Sequence, residues 1–497
     1  VFDTRVLLNK ITAFRERLEK MPRLVPETLP KTENAPATPV ESDADLLARV
    51  QAGSRTQALL EQSIRQLANI PEPVSTLPVQ LTARARRLLK EAHDLIADLR
   101  QLADDPLLAG APPGESSEEI DPLALYYRET AALMEPAVRI AQNFPETPSV
   151  QLRLCDGLDG ILNTVRQRLA TLRQARDLRR QDAKLVEALA QILVQLDLGQ
   201  KVSPETLGEL AEQILIESTT TPLRYLHTSP VAAQTYLGGT QFTPPVRFVA
   251  AHSVTTARVI ARIVRHAPEW RPHPHGPVIA ALLHDVGMLR ISPEALGSTV
   301  ALNETQRRSI EAHARASSEI VANLLPEFAM LVDSIGTHHE RLDGTGYPGG
   351  LKADQIPPLA RLLGVVDTYA ALCCPRPHRL AHDPRTALTD TLLAAEQNLL
   401  DRFAAEKLMT LGLHPVGSVV ELGDGSVGVV AANHQGRNEL FLASRPVLNL
   451  LVDKYGQVLA TPQPVDLAEM EEGIVVRTLK AEERARLLGR HFPQWCI

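Results

Sequence analysis

At 497 residues with 44% apolar content, the chain is long enough for two to four domains and can bury a sizeable core. A formal charge of -7 and a pI near 6.1 withhold the clustered positive field that a nucleic-acid duplex requires, so no such partner is expected. No apolar run approaches the ~18 residues that span a bilayer, and no basic segment leads into an apolar signal core, which points to the cytoplasm and away from a membrane.

In chain order, Leu7, Ile11, Phe14, Leu18 and Met21 recur at helical spacing, and Pro22 to Pro39 is polar and proline-rich. Residues 1–43 therefore read as a short helix on a linker. From Asp43 to about Leu102 two amphipathic helices are expected, interrupted around Pro71 to Pro78, and Asp105 to Asp121 is a second linker. Leu158, Leu162, Val165, Leu169 and Leu172 alternate by three and four, a seam that suits packing inside one domain or a homodimer through these N-terminal helices. Residues 44–225 are assigned a regulatory or oligomerisation role, although they carry no recognisable sensor motif. The cysteines Cys155, Cys373, Cys374 and Cys496 have no spacing that suggests a staple or a zinc knuckle and are expected as free thiols.

From about Ser229 to Leu413 the pattern is all helical. After Pro415 it alternates through Val419 to Leu422, turns at Gly423-Asp424-Gly425 and resumes from Val427 to Val430, a hairpin signal. The expected fold class is mainly α: a helical N-terminal region, an all-α domain over 226–413 and a small β-rich C-terminal extension over 414–497.

Seven side chains with metal-binding chemistry fall on inward-facing stripes of five successive predicted helices. His252 shares its stripe with Val259 and Ile263. His284 and Asp285 end a segment, Val278 to Leu283, that is apolar nearly all round and must be a core helix. His313 lies with Ile310, Ser317, Ile320 and Leu324; His338 and His339 continue a stripe of Phe328, Leu331, Val332 and Ile335. Asp367 takes a core position among Leu359, Leu363, Val366 and Ala370. One histidine on an apolar face is ordinarily a hydrogen-bonded core residue, but a buried carboxylate needs a cation or dense hydrogen bonding. Five imidazoles and two carboxylates exceed one tetrahedral zinc and, without thiolates, suit two divalent ions such as iron or manganese, with Asp285 as the natural bridge. His266, His273, His275, His378, His382, His414 and His434 stand outside this pattern.

The stretch His284-Asp285-Val286-Gly287, the spaced His252 and His313, and the run from His338-His339-Glu340-Arg341 through Asp343-Gly344-Thr345-Gly346-Tyr347-Pro348 closely resemble the HD-GYP family of cyclic di-GMP phosphodiesterases. The resemblance covers about Pro244 to Leu413 and continues through Val365 to Ala370 and Arg376-Pro377-His378-Arg379. It implies an HD-type helical domain, a cyclic dinucleotide as substrate or ligand, and hydrolysis to pGpG or GMP. Carried over by position, it implies that His252, His284, Asp285 and Asp367 hold one metal and that Asp285, His313, His338 and His339 hold the other. It further implies catalytic roles for Asp285, Arg341, Arg376 and Arg379, and substrate contacts from Gly346, Tyr347, Pro348, Arg376 and Arg379. Two positions depart from the family pattern. Met288 stands where a phosphate-contacting Lys is usual, and Phe248 stands where a three-metal site has Glu, so two metals are expected. A receptor that binds a cyclic dinucleotide without turnover, and a phosphohydrolase acting on another nucleotide, are the competing readings.

Overall fold

The computed structural model describes residues 79–103, 122–142, 148–226, 236–237, 240–241, 244–434, 440–470 and 473–492. The helix expected at 6–21, both proline-rich linkers, the interruption at 71–78 and Cys496 lie outside them.

Helices α1 (Val79–Ala103), α2 (Pro122–Gln142) and the first half of α3 (Pro148–Asp197, 50 residues) enclose one apolar core. The Leu158 to Leu172 seam is buried there beside Leu88, Leu95, Leu99, Tyr127 and Met134, so its apolar stripe is covered within the chain. The second half of α3 enters a larger core from Leu185 onward, together with α4 (Pro204–Thr220), α5 (Pro244–Val264), α6 (His275–Leu283), α7 (Glu304–Leu324), α8 (Val332–Gly336), α9 (Pro358–Cys373) and α10 (Pro384–Glu396). This core thus reaches upstream of the boundary expected at 225, because Leu189, Leu193 and Leu196 of α3 pack into it.

Local signals start these helices where the chemistry allows. Pro occupies the first turn of α4, α9 and α10, where its missing N–H costs nothing. Asn303 and Gln306 close a reciprocal capping box on α7. Helix α6 is buried from Pro277 to Leu283, as expected of a segment apolar on every side.

The continuous helix expected through Phe328 and His339 is not formed. Phe328, at φ -105° and ψ 22°, kinks the 3-10 segment Pro326–Leu331 from within, and α8 stops at Gly336. His338 and His339 therefore lie in the turn beyond a five-residue helix. The all-helical expectation also misses a two-residue hairpin that pairs Tyr236–Leu237 with Thr240–Gln241.

The C-terminal extension is a five-stranded antiparallel sheet of β1 (Val419–Leu422), β2 (Val427–Ala432), β3 (Val447–Val452), β4 (Val458–Asp466) and β5 (Val475–Thr478), ordered β4-β3-β2-β1-β5. Its first hairpin pairs Val419 with Val429 and Glu421 with Val427, and Gly425 takes φ +85° in the turn. Helix α11 (Ala481–His491), not anticipated from sequence, packs Leu488 against this sheet. Cys155, Cys373 and Cys374 are buried free thiols. Among the described residues no helix is long and apolar enough to cross a membrane.

A buried ionic cluster fastens α3 to the larger core. Asp182 on α3 accepts from Arg224 at 2.7 and 2.9 Å and from Arg258 on α5 at 2.6 Å, while Arg258 also reaches Glu217 on α4 at 2.9 Å. Removing one member of a buried pair leaves the remaining charge uncompensated, at a cost of about 3–5 kcal/mol. Asp182→Ala is therefore expected to lower stability by about 3 kcal/mol in a urea titration, and a shift under 1 kcal/mol would contradict the role given to this cluster.

Candidate metal centre

All seven side chains singled out from sequence converge in the larger core. His252 comes from α5, His284 and Asp285 from the junction of α6 with the 3-10 turn Val286–Arg290, and His313 from α7. His338 and His339 follow α8, and Asp367 comes from α9. Six are buried and His339 is half-buried. Their donor atoms fall into two groups, each within 4.8 Å internally: Asp285, His313, His338 and His339, and separately His252, His284 and Asp367.

Asp285 joins the two groups. Its Oδ2 lies 3.4 Å from His284 Nε2 and 3.9 Å from His252 Nε2, whereas its Oδ1 lies 3.1 Å from His313 Nε2 and 3.8 Å from His338 Nε2. One carboxylate thus turns one oxygen to each group. Asp367 places Oδ1 2.7 Å from His252 Nε2 and Oδ2 3.9 Å from His339 Nδ1.

Four of the five histidines turn Nε2 inward, and His339 turns Nδ1. Nδ1 of His284, His313 and His338 bonds to the carbonyl three residues back, of Ala281, Ile310 and Ile335 respectively, which makes Nδ1 the protonated nitrogen and leaves the Nε2 lone pair free. These three Nε2 atoms are buried without a hydrogen-bond partner. Three orphaned imidazole nitrogens beside two buried carboxylates are costly in protein alone and match the donor set of divalent metals. The residues present therefore fit a metal.

Charge inside the cluster is self-compensating. Burial opposes the charged form of Asp285, but His284 and His313 on either side hold its carboxyl well below the usual range. Asp367 is likewise buried, and its bonds with His252 and His284 hold it low. Burial also opposes charge on His284, yet the carboxylates of Asp285 and Asp367 raise it to about 9. His338, buried and facing His284 and His313, is pushed down to about 3, and burial with His338 alongside holds His339 well below its ordinary value. Without a metal, the carboxylates thus favour a second proton on His284, at Nε2, which a metal would have to displace, while His338 and His339 stay neutral, the state in which imidazole binds metal.

The glycine-rich loop folds back on the histidine pair. Gly346 packs so closely that a Cβ there would lie 2.3 Å from Arg341 N and 2.5 Å from the His339 carbonyl, which excludes any side chain. Helix α9 makes a similar approach at Gly364, where a Cβ would meet the His338 carbonyl at 2.3 Å. Glu340, not singled out from sequence, is buried and accepts from the Gly349 and Leu351 amides at 2.5 and 2.9 Å. Its place directly after two ligand-type histidines and before a glycine-rich loop was the available signal. Asp343 accepts from Thr345 N and Oγ1, so it forms a turn and orients no imidazole. Tyr347 stacks on His339, with ring centroids 4.7 Å apart, and burial followed by the Asp367 and Asp285 charges keeps it a neutral phenol.

The remaining residues singled out from sequence lie around this cluster in different ways. Arg376 rests 4.9 Å over the ring of Phe248, one turn before His252. Arg379 does not turn to the cluster: its guanidinium donates to the carbonyls of Ala371, Leu372, Cys374 and Leu380 at the end of α9. Among the described residues, Arg341 makes one long contact, to the Glu340 carbonyl, and has no carboxylate in ion-pair range. Met288 is buried in the apolar core.

A family model described as "HD domain" matches residues 240–403, the span that holds every one of these side chains. Residues 240–403 are thus similar to an HD domain. A 3′3′-cGAMP-specific phosphodiesterase of Vibrio cholerae is 39% identical over 120 residues, or 24% of this chain and 25% of that protein. A cyclic di-GMP phosphodiesterase of Pseudomonas aeruginosa is 29% identical over 217 residues, or 44% of this chain and 51% of that protein. The chain thus spans a quarter to a half of the length of these relatives. A solved HDG"Y"P protein from Bdellovibrio bacteriovorus overlays 51% of this chain and 78% of its own at 13% identity with a TM-score of 0.35, too loosely to compare side chains.

Because Glu340 satisfies two loop amides of the HD domain, Glu340→Ala is expected to destabilise the protein by about 1–3 kcal/mol. The Gly349 and Leu351 amides should lose hydrogen-exchange protection, and unchanged protection there would refute this anchoring role.

Proposed function

We propose that the HD domain is a metal-dependent phosphodiesterase acting on a cyclic dinucleotide through a binuclear centre. The observation that carries this reading is the Asp285 carboxylate with one oxygen toward each histidine group. The relatives named above divide between cyclic di-GMP and 3′3′-cGAMP, which supports the cyclic dinucleotide class and leaves both as substrates to test.

In this reading His252, His284 and Asp367 hold one ion, His313, His338 and His339 the other, and Asp285 is shared. Divalent ions bound there supply Lewis acidity, lowering the pKa of water and offsetting charge on the phosphodiester; iron or manganese suits these ligands. The chain contributes orientation: backbone carbonyls fix three imidazoles, so a substrate meets a preorganised site. Arg376, with a planar fork suited to phosphate oxygens, binds the non-bridging oxygens from its seat on Phe248. Arg379 anchors the turn that presents it, since the backbones of Arg376 and Arg379 bond reciprocally at 2.9 and 3.0 Å. Arg341, with no carboxylate partner among the described residues, and the neutral phenol of Tyr347 are further donors toward the substrate beside Gly346 and Pro348.

A second reading, a receptor that binds without turnover, is favoured by Met288. Its thioether, three residues after Asp285 in the chain, lies buried in the apolar core and cannot supply a cationic phosphate contact. Loss of one such transition-state contact costs on the order of 10² to 10³ in rate, which slows an enzyme that keeps its metals without silencing it.

Protein purified without chelators is expected to carry about two divalent ions per chain by elemental analysis, and Asp285→Ala fewer than one, because the shared carboxylate serves both. With manganese or iron restored, it is expected to linearise cyclic di-GMP or 3′3′-cGAMP. Tight binding of either without product would establish the receptor reading, and neither binding nor turnover would sink both.

A further inference from the structure

Four of the five clustered imidazoles are oriented by hydrogen bonds. His284, His313 and His338 are locked through Nδ1 to backbone carbonyls, and His252 bonds to Asp367. All four turn Nε2 toward a carboxylate. His339 differs on both counts: it approaches Asp367 through Nδ1, at 3.9 Å, and among the described residues no hydrogen bond holds its ring. A ring with no such lock rotates about its χ2 axis, and rotation swings the in-plane lone pair away from its target.

Aromatic packing takes the place of the missing hydrogen bond. Tyr347 lies nearly parallel to the His339 ring at 4.7 Å and 30°, His338 is 4.0 Å away at 43°, and His313 meets it edge-on at 4.9 Å and 80°. The backbone delivers Tyr347 to this position. Tyr347 N–H donates to the His339 carbonyl at 3.3 Å, Gly346 permits the close fold-back, and Glu340 grips the loop from the other side. His338 and His313 have inward-facing duties of their own, so Tyr347 is the neighbouring ring whose position serves His339.

We propose that Tyr347 is a positioning residue: its ring fixes the plane of the one imidazole that no hydrogen bond orients, and so sets the affinity of the ion group containing His339 while leaving the other group untouched. This rests on the binuclear reading and deepens it, assigning the tyrosine of the glycine-rich loop a task in building the centre in addition to any contact with substrate. Groups that orient a ligand imidazole govern metal affinity by roughly 10- to 100-fold, which sets the size of the expected effect.

The test is a calorimetric titration of metal-free full-length protein with Mn²⁺, comparing wild type, Tyr347→Phe, Tyr347→Leu, His339→Ala and the double variant Tyr347→Leu/His339→Ala. Tyr347→Phe keeps the ring and should bind both ions as wild type does. Tyr347→Leu should leave the first ion unchanged and weaken the second roughly 10- to 100-fold. In the His339→Ala background the leucine substitution should add nothing, a result that a mere wall of the pocket would not give. Both ions unaffected in Tyr347→Leu, a Tyr347→Phe variant as weak as Tyr347→Leu, or a further loss on adding Tyr347→Leu to His339→Ala would each overturn the proposal. Should Tyr347→Leu fail to fold, as judged by circular dichroism, Tyr347→Met makes the same comparison with a bulkier chain and no ring. A wild type that binds fewer than two ions would refute the binuclear reading instead, and the two failures are thereby distinct.

Discussion

Two carboxylates in the middle of an apolar core constrain everything around them. Asp285 and Asp367 are each 7% exposed, and a buried charge persists only where opposite charge or dense hydrogen bonding compensates it. Five histidines from four separate segments surround them, and His252, His284 and His313 supply that compensation. Bringing them within reach requires α5, α6, α7, the turn after α8 and α9 to meet at one point. The contacts that let them meet are as specific as the ligand-type residues, Gly364 against the His338 carbonyl among them. The apolar packing of α6 places His284 and Asp285 at the centre of the core, and the other elements close around that pair.

Much of this was legible in the sequence because helical periodicity reports which side of a helix is covered, and polar residues on a covered side must be explained. His252, His313 and Asp367 are of this kind. The turn after α8 was not legible: apolar spacing runs unbroken from Phe328 to Ile335, and nothing in it foretells the backbone of Phe328. Glu340 was missed because acidic residues beside a turn are ordinarily solvated, and its two amide partners lie nine and eleven residues downstream. Arg379 shows the reverse error. A guanidinium suits backbone carbonyls at a helix end as well as it suits phosphate, and sequence spacing does not distinguish the two. The reach of the larger core back to Leu185 was hidden for another reason: a 50-residue helix shows no break where it leaves one core for the next.

The Asp285 geometry and the glycine-rich loop are parts of one construction. The loop carries no buried apolar anchor comparable to those of the helices, so Glu340 and the close approach at Gly346 hold it against the histidine pair. The same few residues that complete the metal-type cluster also form its wall. Chemistry and architecture share side chains here, which is why the run from His338 to Pro348 reads so densely.

Helix α3 has a consequence for how the chain acquires its structure. None of residues 173–181 is buried, yet the helix is continuous there, between one core ending at Leu172 and another beginning near Asp182. Starting a helix is the unfavourable step and lengthening it is easy. Whichever core consolidates first therefore hands its neighbour a ready-made end on which to extend, and the exposed span acts as a template passed between two folding units that share no apolar surface along it.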